Sequence, residues 1–173
     1  YTQPGSSPNT MAVGGNAVLT VEVDASGFRL FRLLGGNSLV RGLVLNDFHD
    51  AAVGVVSSNN VVAGNYIGTD PTGTLSRAVQ TGGTAPIGVN LTTGSNTTIG
   101  GTSPADRNVL SANFNGVAGF NTGNVAGTQI LNNYVGTDRT GSLPLGNTSG
   151  GLNLNNPGKG GYTVVGNVVS ANG

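Results

Sequence analysis

The segment at positions 64 to 70 reads GNYIGTD, and a nearly identical segment, NNYVGTD, occupies positions 132 to 138. Two shorter relatives, NVLSAN at 108 to 113 and NVVSAN at 167 to 172, lie between and after these copies, so two types alternate along the chain. Because recurrence at intervals of tens of residues is typical of solenoids and other repeat architectures, this pattern decides the fold class.

The repeat extends towards the N-terminus. LVRGLVL at 39 to 45 aligns with VVAGNYI at 61 to 67, which puts Leu43 in the place of Asn65, 22 residues earlier. The later steps are longer because polar segments rich in Gly and Pro are inserted, mainly at 71 to 86, 102 to 107 and 139 to 149. Each repeat also has three short apolar stretches, so we predict three strands per turn of a coil.

The apolar stretches are short, rich in β-branched residues and bounded by Gly, Asn, Ser or Pro, as strands are. No segment has a sustained helical period, so we expect essentially no helix. The sequence therefore predicts an all-β parallel β-helix of about six turns, in which each turn stacks about 4.8 Å from the last. One turn cannot bury its own apolar face, so stability has to come from neighbouring turns.

The motifs NxVxGNYIGTDxxG and RNVxSxN, followed by strands with alternating apolar residues, resemble the right-handed parallel β-helix repeats of large secreted or surface proteins of bacteria. The resemblance covers about positions 35 to 173. It implies a right-handed coil with irregular loops and an extracellular or cell-surface location.

Length and composition limit the alternatives. We expect one β-helix domain over 1–173, with irregular N-terminal turns at 1–36 and regular repeats at 37–173, forming part of a longer chain or an assembly. The net charge is zero and there is no cysteine, which argues against nucleic acid as a partner, disulfides and thiol chemistry. No apolar run approaches the ~20 residues of a membrane helix, and no cofactor or metal motif is recognised.

The stacked repeats predict two files of polar side chains. Asparagines at a corner between strands can hydrogen-bond to their counterparts in the next turn and to free backbone groups, so we predict a structural ladder. Its members are Asn65, Asn108, Asn133 and Asn167. A second file, five residues further on in each copy, suits the capping of turn amides. It consists of Asp70, Asn113, Asp138 and Asn172. An alternative for Asp70 and Asp138 is a pair of carboxylates for glycoside hydrolysis.

Two weaker candidates remain. The cluster Asp47, His49 and Asp50 could hold a cation or perform acid–base chemistry, and it could equally be a solvated turn. Tyr66 and Tyr134 occupy equivalent positions two turns apart, so they could stack on sugars or pack beneath the inserted loops.

We therefore expect a non-enzymatic structural or adhesive solenoid that assembles end to end into fibres, since the last turn lacks its third strand. The alternative is a carbohydrate-active domain that binds or cleaves a polysaccharide, because the fold also supports enzymes of that class. No acidic cluster lies beside an arginine in the sequence, which disfavours the enzyme.

Overall fold

A computed structural model describes residues 2–77, 85–120, 123–155 and 161–173 of the protein. These residues form sixteen β-strands and one three-residue 3₁₀ helix at Pro104–Asp106. Every pairing between these strands is parallel, and the strands form one sheet of six and two of five. The predicted all-β parallel coil with three strands per turn is confirmed, and so is the near absence of helix.

The strands follow the chain in a fixed rotation through the three sheets. The six-stranded sheet contains β1 (Val21–Asp24), β4 (Leu43–Asn46), β7 (Tyr66–Ile67), β10 (Val109–Leu110), β13 (Tyr134–Val135) and β16 (Val168–Val169). The second sheet contains β2 (Phe31–Leu33), β5 (Ala51–Val55), β8 (Ile87–Leu91), β11 (Asn115–Phe120) and β14 (Gly150–Asn155). The third contains β3 (Leu39–Arg41), β6 (Val61–Ala63), β9 (Thr98–Gly100), β12 (Thr128–Leu131) and β15 (Tyr162–Val165).

The register of the strands reproduces the sequence alignment. Val44 pairs with Tyr66, so Leu43 lies beside Asn65 as predicted, and Tyr66 pairs in turn with Val109. The described strands make five complete turns and the first strand of another, close to the expected six. The first turn begins at Val21, inside the segment 1–36 that was expected to be irregular. Its strands β1 and β2 pair in register with β4 and β5 of the next turn.

The core is built from files of apolar side chains, one file per sheet, stacked along the axis. In the six-stranded sheet the file includes Leu45, Ile67, Leu110 and Val135, all fully buried. Burying a side chain of this size contributes about 1.5–3 kcal/mol. Because each member contacts members in neighbouring turns, stability increases as turns are added.

Two inserts leave the coil as short hairpins, one after each of the two segments that end in GTD, at 64 to 70 and 132 to 138. Thr69 and Thr137 each form an antiparallel bridge seven residues ahead, to Ser76 and Pro144 respectively. The rest of the first insert, at 78–84, lies outside the described residues, so the expectation that the whole of 71 to 86 is one loop stays a prediction.

The segment 9–17 forms a strap across the outer face of the six-stranded sheet. An antiparallel bridge between Ser7 and Val18 joins the residues on either side of this segment. Ala17 and Leu19 pack with Val44, Tyr66 and other side chains in a second, smaller apolar cluster outside the main core. Within the described part of the chain, no helix is long and apolar enough to cross a membrane.

Candidate functional site

The asparagines at the corner before the six-stranded sheet form a continuous hydrogen-bonded ladder. The side-chain amide of Asn65 donates to Oδ1 of Asn108 at 3.1 Å, Asn108 donates to Asn133 at 2.8 Å, and Asn133 donates to Asn167 at 2.9 Å. Asn65, Asn108 and Asn133 are fully buried. All four predicted ladder residues are therefore brought together, one above another.

Each ladder residue also satisfies the backbone of neighbouring turns. The amide of Asn108 donates to the carbonyl of Val62 at 2.9 Å, and Oδ1 of Asn108 accepts from the backbone N–H of Asn65 at 2.9 Å. The file stops at Asn65, whose Oδ1 accepts from the N–H of Leu43. The side chain of Leu43 is apolar and cannot form hydrogen bonds. The ladder therefore begins at Asn65, and Leu43 lies next to it without being part of it.

The second file differs from the sequence prediction. Its hydrogen bonds run from the N–H of Asn113 to Oδ1 of Asn147 at 3.0 Å, and from the side chain of Asn147 to Oδ1 of Asn172 at 2.8 Å. Asn147 therefore takes the place that the alignment gave to Asp138. The missed signal is the position of Asn147 three residues before β14, comparable to that of Asn113 before β11.

Asp70 and Asp138 instead cap their own hairpins. Oδ1 of Asp70 accepts from the N–H groups of Thr74 at 3.1 Å and Leu75 at 3.0 Å, and Oδ1 of Asp138 accepts from Leu143 at 3.2 Å. These contacts are those of turn capping, and each carboxylate faces the amides of a separate loop. They provide no support for a catalytic pair.

The environment of Asp70 shifts its acidity. Burial opposes ionisation, but hydrogen bonds from the Thr72 hydroxyl and the backbone N–H groups of Leu75 and Thr74 outweigh it, so the pKa of Asp70 lies below the ordinary 3.8. A carboxyl whose pKa is lower in the folded state contributes stability above its unfolded-state pKa. That contribution is lost as the pH falls through the folded-state value.

We therefore expect the Asp70→Asn variant to lose less stability in acid than the wild type does. The amide keeps an oxygen for the N–H groups of Thr74 and Leu75 but has no charge to titrate. Urea unfolding at a series of pH values between about 5 and 2 measures the difference. Thr72→Val, which removes one donor to the carboxylate, should give an intermediate profile. Superimposable pH profiles for wild type and Asp70→Asn would contradict the expectation.

The cluster at Asp47, His49 and Asp50 is divided by the structure. Asp50 turns towards the second sheet, where it pairs with Arg29 at 2.8 Å, and the His49 ring lies beside Gly27. Asp47 and Asp50 both have left-handed backbone conformations, with φ of 55° and 66°, so the chain bends twice within this corner. Among the described residues no group of three or more His, Asp or Glu side chains is placed to hold a metal ion.

The two tyrosine side chains are buried, which agrees with the alternative that they pack beneath the inserted loops. Tyr66 is 3% exposed and Tyr134 is 4% exposed. Their rings lie beneath the hairpin glycines Gly73 and Gly141, which is the packing alternative. Burial raises the pKa of Tyr66 above 10.0, against the opposing effect of Arg139. The rings are covered because the inserted loops and the strap fold back over them.

Arg107 fastens the strap to the coil. Its guanidinium donates to the carbonyls of Met11, Ala12 and Gly14 at 3.1, 2.7 and 2.7 Å, and lies 4.6 Å from the ring centroid of Tyr134. The N–H of Gly14 in turn donates to the Tyr134 hydroxyl at 2.7 Å. The first residues of the chain are thereby attached to its fourth and fifth turns, a contact that the sequence analysis missed.

Replacing Arg107 with glutamine should loosen the strap. Hydrogen bonds to a charged donor contribute about 1.5–3 kcal/mol, so the Gly14 amide should exchange with solvent about tenfold or more faster. Hydrogen exchange followed by NMR measures this. Arg77→Gln, at an exposed arginine outside the strap contacts, is the control and should leave Gly14 protected. Equal protection of Gly14 in Arg107→Gln and wild type would contradict the assignment.

The last turn exposes apolar side chains that are buried in the turns before it. Val164 and Val169 pair with Ile130 and Val135, which are fully buried, yet they are 43% and 47% exposed. Val165 and Val168 on the same edge are exposed as well.

No family model matches this chain, and no curated protein sequence or solved structure is significantly similar to it.

Proposed function

We propose that this chain is a non-enzymatic structural or adhesive module of an extracellular or cell-surface protein. The resemblance of its motifs to the parallel β-helix repeats of bacterial secreted and surface proteins supports this proposal. One observation carries the proposal. The polar side chains that the repeat places most regularly, the four ladder asparagines, are engaged with one another and with the backbone of adjacent turns. The repeated chemistry of the chain thus serves its scaffold.

A scaffold of this kind can also extend along its axis. The edge formed by β15 and β16 presents the exposed pair Val164 and Val169 together with the backbone of the two strands. Parallel edges of this type pair readily with another strand. We propose that the first turn of a second copy adds to this edge, so that copies stack into rods. Val21 pairs with Leu43, so Val21 occupies the position that the ladder asparagines occupy in later turns. Because valine cannot continue the ladder, backbone hydrogen bonds and apolar contacts would form the junction between copies.

Sedimentation velocity over a range of concentrations, combined with negative-stain microscopy, tests the assembly. A single copy of five to six turns would be roughly 25 Å long at the spacing of β-strands. We expect sedimentation to rise with concentration and rods to exceed that length several-fold. The Val169→Lys variant should remain monomeric because a charge at the edge blocks strand addition.

Val13→Lys is the matched control, since Val13 is the same residue type, is 78% exposed and belongs to the strap rather than to β15 or β16. It should assemble as the wild type does. A wild-type chain that sediments as a monomer at every concentration would overturn the assembly. Equal loss of assembly in both variants would mean that the edge is not the contact.

A further inference from the structure

A cleft on the outer face of the second sheet has the features of a ligand site. It has a volume of about 240 Å³ and lies over β2, β5 and β8. The register places Arg32 beside Gly54 and Gly54 beside Asn90, so these three residues form one file across three strands. Their neighbours Val53, Val55, Val89 and Leu91 are fully buried, so the file faces outwards.

Gly54 creates the depression. It lies between a long cationic side chain and an amide, and its missing side chain leaves open the space above the middle strand. A Cβ added there would have only ordinary contacts, at 3.6 Å from the Phe31 carbonyl and 3.9 Å from Cγ of Arg32. The space is therefore not needed for packing within the sheet. Glycine inside a strand is typical of a position that a ligand or another chain approaches closely.

The charges around the cleft favour one negative charge on the occupant. Arg29 and Asp50 line the cleft as an ion pair at 2.8 Å and largely neutralise each other. Among the described residues no carboxylate forms an ion pair with Arg32, which leaves one positive charge facing the space. The planar guanidinium suits a carboxylate, which it can bind through two parallel hydrogen bonds.

The remaining lining sets the other part of the ligand. Asn90 and Thr92 supply an amide and a hydroxyl, which can donate to and accept from hydroxyl groups, and Val56 supplies apolar surface. The volume is below the ~300–1,000 Å³ of sites for drug-sized ligands. The space therefore suits a single small unit rather than a large cofactor.

We propose that the cleft between Arg32 and Asn90 over Gly54 binds a small hydroxylated monocarboxylate, such as a uronate, with the carboxylate on Arg32. This site is independent of the end-to-end assembly proposed above, because it lies on the side of the rod. An occupant could be a free acid or one unit of a chain that continues along the groove.

Titration with sodium D-glucuronate, followed by NMR shifts of the Gly54 and Asn90 amides, tests the site. We expect saturable binding by the wild type. Affinity should be about tenfold or more weaker in Arg32→Gln, which removes the charge, and in Gly54→Val, which fills the cleft. Arg77→Gln is the matched control and should bind within about twofold of wild type. D-glucose, which lacks the carboxylate, should bind at least about tenfold more weakly.

The outcomes separate the alternatives. Absence of saturable binding by the wild type would overturn the proposal, as would equal affinity for glucose. Tighter binding of inorganic phosphate than of glucuronate would assign the cleft to another class of anion and would also overturn it. If Gly54→Val does not fold, Arg32→Gln decides alone, because its substitution is on an exposed side chain. Comparison of sodium D-galacturonate with its tetramer, which differ only in chain length, distinguishes a free acid from a unit of a chain.

Discussion

Replacing Asn108 with alanine should lower the free energy of unfolding by about 3–5 kcal/mol. The side chain accepts from both nitrogens of Asn65 and donates to Asn133 and to the Val62 carbonyl. Truncation leaves these buried groups without partners, where no water replaces the lost hydrogen bonds. A buried polar group left unpaired costs about 1–3 kcal/mol, so the losses add to one of the largest effects of any single change.

Asn167→Ala provides the comparison, because the same residue type lies at the partly exposed end of the same ladder. Asn167 accepts from Asn133 at 2.9 Å, but solvent can replace it there, so we expect a loss of only about 1–2 kcal/mol. Urea unfolding of both variants, followed by circular dichroism and by tyrosine fluorescence, measures the difference. A loss below about 1 kcal/mol for Asn108→Ala would mean that the ladder is not a major source of stability.

Replacing Gly68 with alanine should destabilise the protein by more than about 3 kcal/mol. The backbone of Gly68 is left-handed, with φ of 90°, a conformation that L-residues adopt at a cost. An added Cβ would also overlap the carbonyl oxygen of Ser111 and the Oδ1 atom of Asn113 in the next turn. One methyl group would therefore separate two turns at the point where the second asparagine file passes.

Gly35→Ala is the matched control, since its Cβ would have no neighbour within 4 Å and its backbone is not left-handed. We expect a change within about 0.5 kcal/mol for this variant. Thermal unfolding of the two proteins side by side tests the contrast. A similar melting temperature for both variants would show that the stack tolerates a displacement at Gly68, contrary to the close packing of the turns.

The sequence predicted the coil and its main ladder because both follow from repetition alone. Stacking the apolar residues of successive repeats places equivalent positions above one another, which brings Asn65 next to Asn108. The sequence prediction failed for the second file of polar side chains because motifs that align in sequence do not always follow the same backbone path. Gly68 and Gly136 turn the chain out of the coil into hairpins, whereas Ser111 keeps it in the coil, so Asp70 and Asn113 occupy different places.

By itself, the sequence determined the class of fold, the register of the turns and the order of the ladder asparagines, since these depend on contacts between equivalent residues of successive repeats. Only the tertiary structure decided the burial of Tyr134 beneath the strap, the entry of Asn147 into the second file and the cleft over Gly54. These features join residues that are not equivalent in the repeat. Their contacts depend on the path of inserted segments in space, which no periodicity in the sequence encodes.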